Sequence, residues 1–443
     1  MHPGIVRHLI SPALERLCGR RTFQVYRQLA ESQWFARHEL RHLQLRKLRT
    51  LFDIANEHTD YAAFANQPAD FKLHSLDDLR ALPLLSKDDI REHLDALTNR
   101  NVPGGPIGYR TGGSGGKPLQ FYFDKRRQAF DKAARMRTHD WFGCAPGCRE
   151  AYVWNAPVEL SKQDRVKRLR DWMTNETLLP ASELSPLTVG WFVGKMRRFR
   201  PRCVFGYPSS MVQLCELAAD AGEDLRALNL ACVFSTAETL LPHYRATLEE
   251  AFGCPVADGY GSREAGFIAH QCPHGSMHIT SENVIVEIVD PAGNPLPPGE
   301  DGEIVVTQLD CHATLFIRYR TGDVGRLSAG ECSCGRGLDI LDAVHGRVND
   351  FLIMPDSRRV HSSALHAALS GLAGIEQFQF HQTADGAVEM RLVATSDFSA
   401  EAALRENLQT RLGGETPLTI TRVDAIAPSP SGKFRYIISE RNF

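Results

Sequence analysis

The chain has 443 residues, of which 43% are hydrophobic and 23% are charged, and its formal net charge is -2 at pH 7. This composition is that of an ordinary globular protein with two or three domains. The balanced charge excludes binding of nucleic acid or an anionic membrane by the whole surface. No apolar run approaches the ~18 residues of a membrane span. The 11 cysteines are odd in number and scattered, which argues against a secreted disulfide framework. We therefore expect a soluble cytoplasmic protein.

Residues 1 to about 100 are predicted to be mostly helical. The leucines of residues 39–48 lie on one helix face, and two more helices are expected to begin where a small polar residue precedes acidic residues, at Leu76 and after Ser86. From about 109 onward, short apolar runs suited to buried parallel strands alternate with helical stretches, at 151–154, 203–205 and 231–234. Residues 284–289 and 303–306 flank a loop rich in Pro and Gly and predict a hairpin.

The part of the chain after about 349 has its own pattern. Two helical stretches, 364–372 and 400–412, alternate with strands at 378–380 and 390–393, which is enough chain for a separate domain. We predict a multi-domain α/β protein. A large N-terminal domain of mixed sheets and helices covers 1–348, with a helical lead-in over about 1–75, and a small α+β C-terminal domain covers 349–443.

A glycine-rich loop at 109–118 is the sharpest local signal. Backbone N–H groups of glycines can close around phosphate oxygens, and hydroxyls and a lysine add donors and charge. A Walker P-loop requires Gly at 111 and Ser or Thr at 118, but the chain has Thr111 and Pro118, and a strand pattern rather than a helix follows at 119–123. A flexible surface loop or hairpin turn remains the alternative. The candidate phosphate-binding residues are Thr111, Gly112, Gly113, Ser114, Gly115 and Lys117.

Five further polar segments follow the loop in order: 235–238, 258–264, 318–323, 346–350 and 429–433. Each is unremarkable alone, as a turn or a solvated charge. Together with the loop, their order and spacing resemble the adenylate-forming superfamily of acyl-CoA synthetases, peptide-synthetase adenylation domains and luciferases. Segments 201–210 and 309–320 are most similar to the phenylacetate–CoA ligase-like branch, including its capsule-biosynthesis relatives. The resemblance covers roughly residue 75 to the C-terminus.

The resemblance implies a nucleotide site. The glycine loop would close over the ATP β- and γ-phosphates, Ala237 and Glu238 would lie along the adenine, and the aromatic face of Tyr260 would stack on the base. Asp323 would accept hydrogen bonds from both ribose hydroxyls. Glu264 would help to hold Mg²⁺, which prefers carboxylate and phosphate oxygens.

Other implied contacts involve the phosphates. Gly261 and Ser262 belong to the motif of Tyr260. In the family, a Thr in this motif usually contacts the α-phosphate through its hydroxyl. Arg263 stands at that position here, so the nearby hydroxyl of Ser262 would have to make the contact.

The resemblance also implies that the C-terminal domain is mobile and delivers the catalytic lysine. Lys433 would bridge the substrate carboxylate and the α-phosphate, where two anions approach each other. Arg347 would contact ribose and phosphate. Asn349 stands where the family commonly has an Asp hinge, and Asn also tolerates unusual backbone angles.

The implied reaction activates a carboxylic acid with ATP as an acyl-adenylate and transfers the acyl group to a thiol, with coenzyme A as the expected acceptor. A carrier-protein thiol or an amine is an alternative acceptor, and a catalytically inactive nucleotide-binding relative is an alternative class. A P-loop kinase or ATPase is disfavoured by Pro118. Trp154, Phe205 and Tyr207 are candidates to line the acyl pocket; their size suggests an aromatic or otherwise flat acid, although ordinary core packing explains them equally well. Neither the identity of the acid nor the oligomeric state follows from the sequence.

A second cluster has the donor types of a zinc site. Residues 271–278 contain one Cys and two His, and two more cysteines follow 60 residues later. Three thiolates and one imidazole form a closed, structural tetrahedral zinc site. We predict that Cys272, His278, Cys332 and Cys334 are the ligands, with His274 the rival for the imidazole position. Reduced surface cysteines are the alternative, since the spacing is not that of a standard zinc finger.

Overall fold

The computed structural model describes residues 1–68, 71–110, 119–154, 165–347, 351–355, 359–361, 365, 368, 369, 372, 374–414, 416–427 and 435–441. They form two compact units: the first holds the described residues up to 344 except 322–325, and the second holds 322–325 and those from 345 onward. The predicted domain boundary between 348 and 349 lies outside the described residues. Among the described helices, none combines the length and apolar character that a membrane span requires.

A seven-stranded sheet is the centre of the first unit. Its strand order is β4-β3-β5-β6-β7-β8-β9. The strands from β4 to β7 are parallel, and β7, β8 and β9 are antiparallel. The apolar runs predicted as buried parallel strands are confirmed as β3, β5 and β6. The bounds of the seven strands are β3 (Glu150–Trp154), β4 (Glu176–Pro180), β5 (Cys203–Gly206), β6 (Cys232–Thr236), β7 (Val256–Ser262), β8 (Gly266–Gln271) and β9 (Met277–Ile279).

Helices cover both faces of this sheet. The described helices of the first unit are α1 (Pro3–Ile5), α2 (Ser11–Leu17), α3 (Thr22–Ser32), α4 (Arg37–His58), α5 (Tyr61–Phe64), α6 (Lys87–His93), α7 (Lys125–Asp140), α8 (Arg165–Thr174), α9 (Val189–Phe199), α10 (Pro208–Asp220) and α11 (Pro242–Phe252). A π-helical turn at Val6–Ile10 joins α1 to α2, and 3-10 turns occupy Leu76–Ala81, Ala181–Glu183 and Arg226–Leu228.

The two faces of the parallel strands differ in chemistry because successive side chains of a strand point in opposite directions. On one face, Val153, Val204 and Val233 pack in an apolar core with residues of α9, α10 and α11. On the other face, Tyr152, Phe205 and Phe234 lie in register and meet polar side chains of α7. The second face is therefore the one that can bind polar groups.

The helix predictions of the N-terminal region are confirmed in α4 and α6. Ser86 begins α6 with a capping box, in which the Asp89 amide donates to Ser86 Oγ at 3.1 Å and the Ser86 amide donates to the Asp89 carboxylate at 2.7 Å. The element predicted at Leu76 is a 3-10 turn rather than an α-helix; it spans Leu76–Ala81 and ends with a hydrogen bond from the Leu82 amide to the Leu79 carbonyl, three residues back.

The remaining strands that begin before residue 348 form a second sheet and a hairpin. The sheet has the order β10-β11-β12-β13, formed by β10 (Val284–Val289), β11 (Gly302–Gln308), β12 (Tyr319–Leu327) and β13 (Leu341–Arg347). The predicted hairpin of 284–289 and 303–306 is confirmed as the antiparallel pair β10 and β11. Strands β1 (Ile107–Arg110) and β2 (Gln120–Phe123) pair antiparallel on either side of the glycine loop.

In the second unit, a four-stranded sheet of order β18-β17-β16-β19 packs its apolar face against the helix α12 (Glu401–Leu412). Its strands are β16 (Ile375–Gln382), β17 (Val388–Ala394), β18 (Leu418–Arg422) and β19 (Ile437–Ser439), and a separate hairpin is formed by β14 (Phe351–Ile353) and β15 (Arg359–His361). The predicted strands at 378–380 and 390–393 and the helix at 400–412 are confirmed. Most of the helix predicted at 364–372 falls outside the described residues.

Candidate active site

The carboxyl ends of β6 and β7 bring two of the sequence motifs side by side. Thr236 and Gly259 are partners in the parallel register, and the Thr236 hydroxyl donates to the Gly259 carbonyl at 3.1 Å. Ala237 and Glu238 therefore leave the sheet next to Tyr260. Ligands of parallel α/β sheets bind at this edge.

Ala237 has a backbone conformation that L-amino acids rarely adopt. Its φ is +68°, in the left-handed region. Such a residue costs of order 1–3 kcal/mol and is typically found at functional sites. The next residue, Glu238, is held by α10, since its carboxylate accepts from the Ser209 hydroxyl at 2.6 Å and from the Ser209 amide at 3.3 Å. The segment is thus fixed in shape before any ligand arrives.

The turn between β7 and β8 carries Glu264, which is only 7% exposed. Its carboxylate lies 3.9 Å from Lys87 Nζ. The turn is closed locally by Ser262, whose hydroxyl accepts from the Ala265 amide at 2.9 Å. In this contact the Ser262 hydroxyl is the acceptor, so its O–H group can still donate a hydrogen bond to another partner.

Arg127 of α7 binds the backbone of the same turn. Its guanidinium donates to the backbone carbonyl of Glu264 at 2.8 Å and to that of Arg263, and it lies 3.3 Å from the Asp131 carboxylate. Asp131 in turn accepts from the Phe267 amide at 3.1 Å. The pattern of the sequence did not point to Arg127 or Asp131, because their backbone partners at 263, 264 and 267 are more than 130 residues away.

Arg263, which stands where the family resemblance implies a Thr, lies against β1, the strand that precedes the glycine loop. Its guanidinium is 5.1 Å from the centre of the Tyr109 ring. A cation on an aromatic face is attracted by the ring quadrupole. The substitution therefore links the β7–β8 turn to β1.

Asp258 is a further titratable group at this edge. Burial raises the pKa of its carboxyl to about 6, although the Gly259 amide, which donates to it at 3.0 Å, and the nearby Arg245 oppose the shift. The sequence could have identified Asp258 as a candidate, since it is a single acidic residue between an apolar strand and the Tyr260 motif.

The structure brings together Ala237, Glu238, Tyr260, Gly261, Ser262 and Glu264, which all follow β6 or belong to the β7–β8 hairpin. The other predicted site residues are not placed in this group, and the roles of all of them stay predictions. Asp323 lies on β12, in the short segment that groups with the second unit. Arg347 ends β13, and its side chain is outside the description. The remaining predicted residues lie outside the described ones: Thr111, Gly112, Gly113, Ser114, Gly115, Lys117 and Lys433.

The four predicted zinc ligands converge. The ligand atoms of Cys272, His278, Cys332 and Cys334 all lie within 4.8 Å of one another. The sulfurs of Cys272 and Cys332 are 3.7 Å apart, and Cys334 Sγ is 3.2 Å from His278 Nε2. Zn–S bonds of 2.3 Å at tetrahedral angles place two sulfurs about 3.8 Å apart, so the spacing fits a zinc ion.

His278, and not His274, belongs to this group. Burial lowers the pKa of His278 to about 4, so its imidazole is neutral at pH 7, which is the form that binds a metal. His274 is exposed, and its Nδ1 lies 2.9 Å from the Ser333 hydroxyl.

A second group of possible donors, His139, Glu150 and Cys203, lies under α7 with ligand atoms within 4.8 Å. In this group the Glu150 carboxylate already has hydrogen-bond partners. Glu150 accepts from the Tyr152 hydroxyl at 2.7 Å and lies 3.2 Å from His139 Nδ1. We interpret this group as a buried hydrogen-bonded network rather than a metal centre.

Comparison with known proteins agrees with this geometry. Residues 176–310 match the family of AMP-binding enzymes, and residues 352–440 match the CapK C-terminal domain. Protein CapK of Staphylococcus aureus is 24% identical over 419 residues, which cover 89% of this chain and 91% of that protein. The phenylacetate-coenzyme A ligase of Thermus thermophilus is 27% identical over 341 residues, 73% of this chain and 74% of that protein.

A solved structure shares the fold. The crystal structure of 2-hydroxyisobutyryl-CoA ligase, in its postadenylation state with 2-HIB-AMP, superposes with a TM-score of 0.71 at 22% identity, covering 90% of this chain and 89% of that one. Fold and site define an α/β protein of the AMP-binding class with a separate C-terminal domain. These similarities support the adenylate-forming superfamily, in the branch of the phenylacetate–CoA ligases and their capsule-biosynthesis relatives.

Proposed function

We propose that the protein is an AMP-forming acid–thiol ligase that activates a carboxylic acid with ATP and transfers the acyl group to coenzyme A. The observation that carries this proposal is the pairing of the Ala237–Glu238 segment with the Tyr260–Glu264 hairpin at adjoining strand ends, inside the region that matches AMP-binding enzymes. Two similar proteins support the acceptor, because one is a phenylacetate-coenzyme A ligase and one a 2-hydroxyisobutyryl-CoA ligase.

In the proposed first step, a carboxylate oxygen attacks the α-phosphorus of ATP. The bond to the bridging oxygen breaks, pyrophosphate leaves, and an acyl-adenylate forms. Lys433 would neutralise the approaching anions, while Arg347 and Asp323 would orient the ribose. Glu264 would hold the magnesium ion that shields phosphate charge.

In the second step, the sulfur of the thiol attacks the acyl carbon, the bond to AMP breaks, and the thiol proton is lost to solvent. The mixed anhydride is already activated, so the protein needs to supply orientation rather than a covalent nucleophile. None of the cysteines takes part in this scheme.

ATP–pyrophosphate exchange over a panel of aromatic and aliphatic acids tests the first step. We expect exchange with at least one acid and a loss of at least 100-fold in Lys433→Ala, with ATP binding retained. Lys72→Ala is the matched control, because Lys72 is an exposed lysine of the first unit. ATP binding without exchange for any acid would instead support an inactive nucleotide-binding relative.

Mass analysis of the product tests the second step. With the acid found above, we expect an acyl-CoA to accumulate in proportion to AMP. AMP formation that requires a carrier protein or an amine instead of coenzyme A would contradict the proposed acceptor.

We also propose that Cys272, His278, Cys332 and Cys334 hold a structural zinc ion. Three thiolates and a neutral imidazole leave no open position for a reacting water, so the ion would stabilise the surrounding loops and take no part in the reaction.

A further inference from the structure

A cavity of about 740 Å³ lies in the first unit, on the polar face of the parallel sheet. Its walls come from β3, β4 and β5, from α7 and α8, and from the N-terminal segment around α2. The volume is within the range of small-molecule sites and several times the ~150 Å³ that holds a benzene ring.

A chain of side-chain contacts links one end of the cavity to the candidate active site. Trp154, the last residue of β3, lines the cavity and stacks on Tyr207 with ring centres 4.2 Å apart. Tyr207 precedes α10, whose Ser209 binds Glu238. A ligand that enters from the strand ends therefore meets an aromatic wall, which Phe205 and Tyr152 continue into the cavity.

The far end of the cavity is polar. Trp154 pairs with Pro180 of β4, and Glu176 begins β4 four residues earlier. Glu176 is therefore about 13 Å from the Trp154 end, measured along the strands. Arg135 of α7 lies between them, with its guanidinium 5.4 Å from the centre of the Tyr152 ring and 5.5 Å from that of Phe205.

The charges that line the cavity are paired to different degrees. Lys132 is bound to the Glu15 carboxylate at 2.9 Å, and Arg170 to Asp171 at 2.8 Å. Arg135 interacts with the Tyr152 hydroxyl, with Glu176 and with the Glu150 carboxylate, which is 3.9 Å away. Burial raises the pKa of the Glu176 carboxyl, although Lys132 and Arg135 oppose the shift.

This arrangement selects against a wholly apolar ligand. Filling the cavity with hydrocarbon would place an apolar surface against the charged groups of Arg135 and Glu176, which is unfavourable because a buried polar group needs a hydrogen-bond partner. A polar substituent at the far end of the ligand would replace them, and a flat ring in between would pack on the aromatic wall.

Resting on the proposed function, we infer that the cavity holds the acyl part of an extended, flat acid whose far end bears a hydroxyl or similar hydrogen-bonding group facing Arg135 and Glu176. The reacting carboxylate would then lie at the Trp154 end. Arg135 and Glu176 are specificity-determining residues in this scheme.

Matched pairs of acids test the inference by pyrophosphate exchange: cinnamate with 4-hydroxycinnamate, and phenylacetate with 4-hydroxyphenylacetate. In the unmodified protein, we expect kcat/KM to favour the hydroxylated member of at least one pair by 10-fold or more. In Arg135→Met and Glu176→Gln this preference should fall toward unity, while KM for ATP is unchanged. Arg197→Gln is the control, because Arg197 is a half-exposed cation on α9, on the other side of the sheet.

The outcomes separate the two proposals. Exchange that shows no preference for hydroxylated acids, or a preference that persists in Glu176→Gln and in folded Arg135→Met, overturns the inference and leaves the ligase function standing. If no acid of the whole panel supports exchange, the ligase function itself fails and the inference fails with it.

Discussion

At Asp258, a buried carboxyl makes the stability of the fold depend on pH in an unusual direction. Its pKa is raised from an ordinary 3.8 to about 6, so between these values the folded chain binds more protons than the unfolded chain. Stability from this group is therefore lost as the pH rises through that window. We expect the melting temperature of Asp258→Asn, relative to the unmodified protein, to increase from pH 4 to pH 7. Thermal unfolding measured across this range checks the prediction, with the exposed Asp53→Asn as the control.

Other residues show how far single positions can be read from a sequence. Motif chemistry identified Tyr260 and Glu264 as candidates, and the donor types identified the cluster that contains His278. The strained φ of Ala237 could not be foreseen, because alanine has no preference for that region. The sequence predicted His278 over its rival His274, but only the fold shows which of the two is buried in the cluster.

Among the elements, α7 shows what a sequence pattern does not contain. The strands β3, β5 and β6 were predictable because they are continuous apolar runs, and α4 because its leucines keep the helical period. The buried side of α7 instead carries Arg127, Arg137 and His139. These side chains can be buried because their partners, such as Glu282 for Arg137 at 2.7 Å, come from distant segments. Local periodicity contains no information on such partners.

The role of α7 can be tested at Arg127. Replacing it by Met removes two donors from the carbonyls of the β7–β8 turn, each worth about 1.5–3 kcal/mol for a charged donor. We expect a lower melting temperature and, because the turn carries Glu264, a rise of at least 10-fold in KM for Mg·ATP. Arg127→Lys should restore part of the loss.

Arg126→Met is the matched control for this experiment. Arg126 is the adjacent residue of α7, but its guanidinium binds Asp310 at 2.6 Å. An equal rise in KM for Mg·ATP in both variants would show that Arg127 acts through general stability and does not position the turn.

At the scale of the whole first unit, the four proposed zinc ligands come from parts of the chain that are far apart in sequence. Cys272 and His278 flank the β8–β9 hairpin turn, and Cys332 and Cys334 belong to a loop about 60 residues later. That loop also reaches the N-terminal helices, because the Gly337 amide donates to the Gln33 carbonyl at 3.1 Å. Arg336 lies over the rings of Trp34 and Trp141, at 4.9 and 4.3 Å from their centres. A bound ion would therefore stabilise contacts well beyond its ligands.

Zinc analysis of the purified protein tests this arrangement. We expect about one zinc per chain, since the group around His139 is interpreted as a hydrogen-bonded network, and a melting temperature that falls by several degrees after chelation in the absence of ATP. His278→Ala should lose the metal and show the lower melting temperature without chelator. His274→Ala should keep both properties of the unmodified protein, because His274 is exposed outside the cluster. Full zinc content in His278→Ala, or loss of zinc in His274→Ala alone, would contradict the assignment of the ligands, and a melting temperature insensitive to metal removal would contradict a structural role.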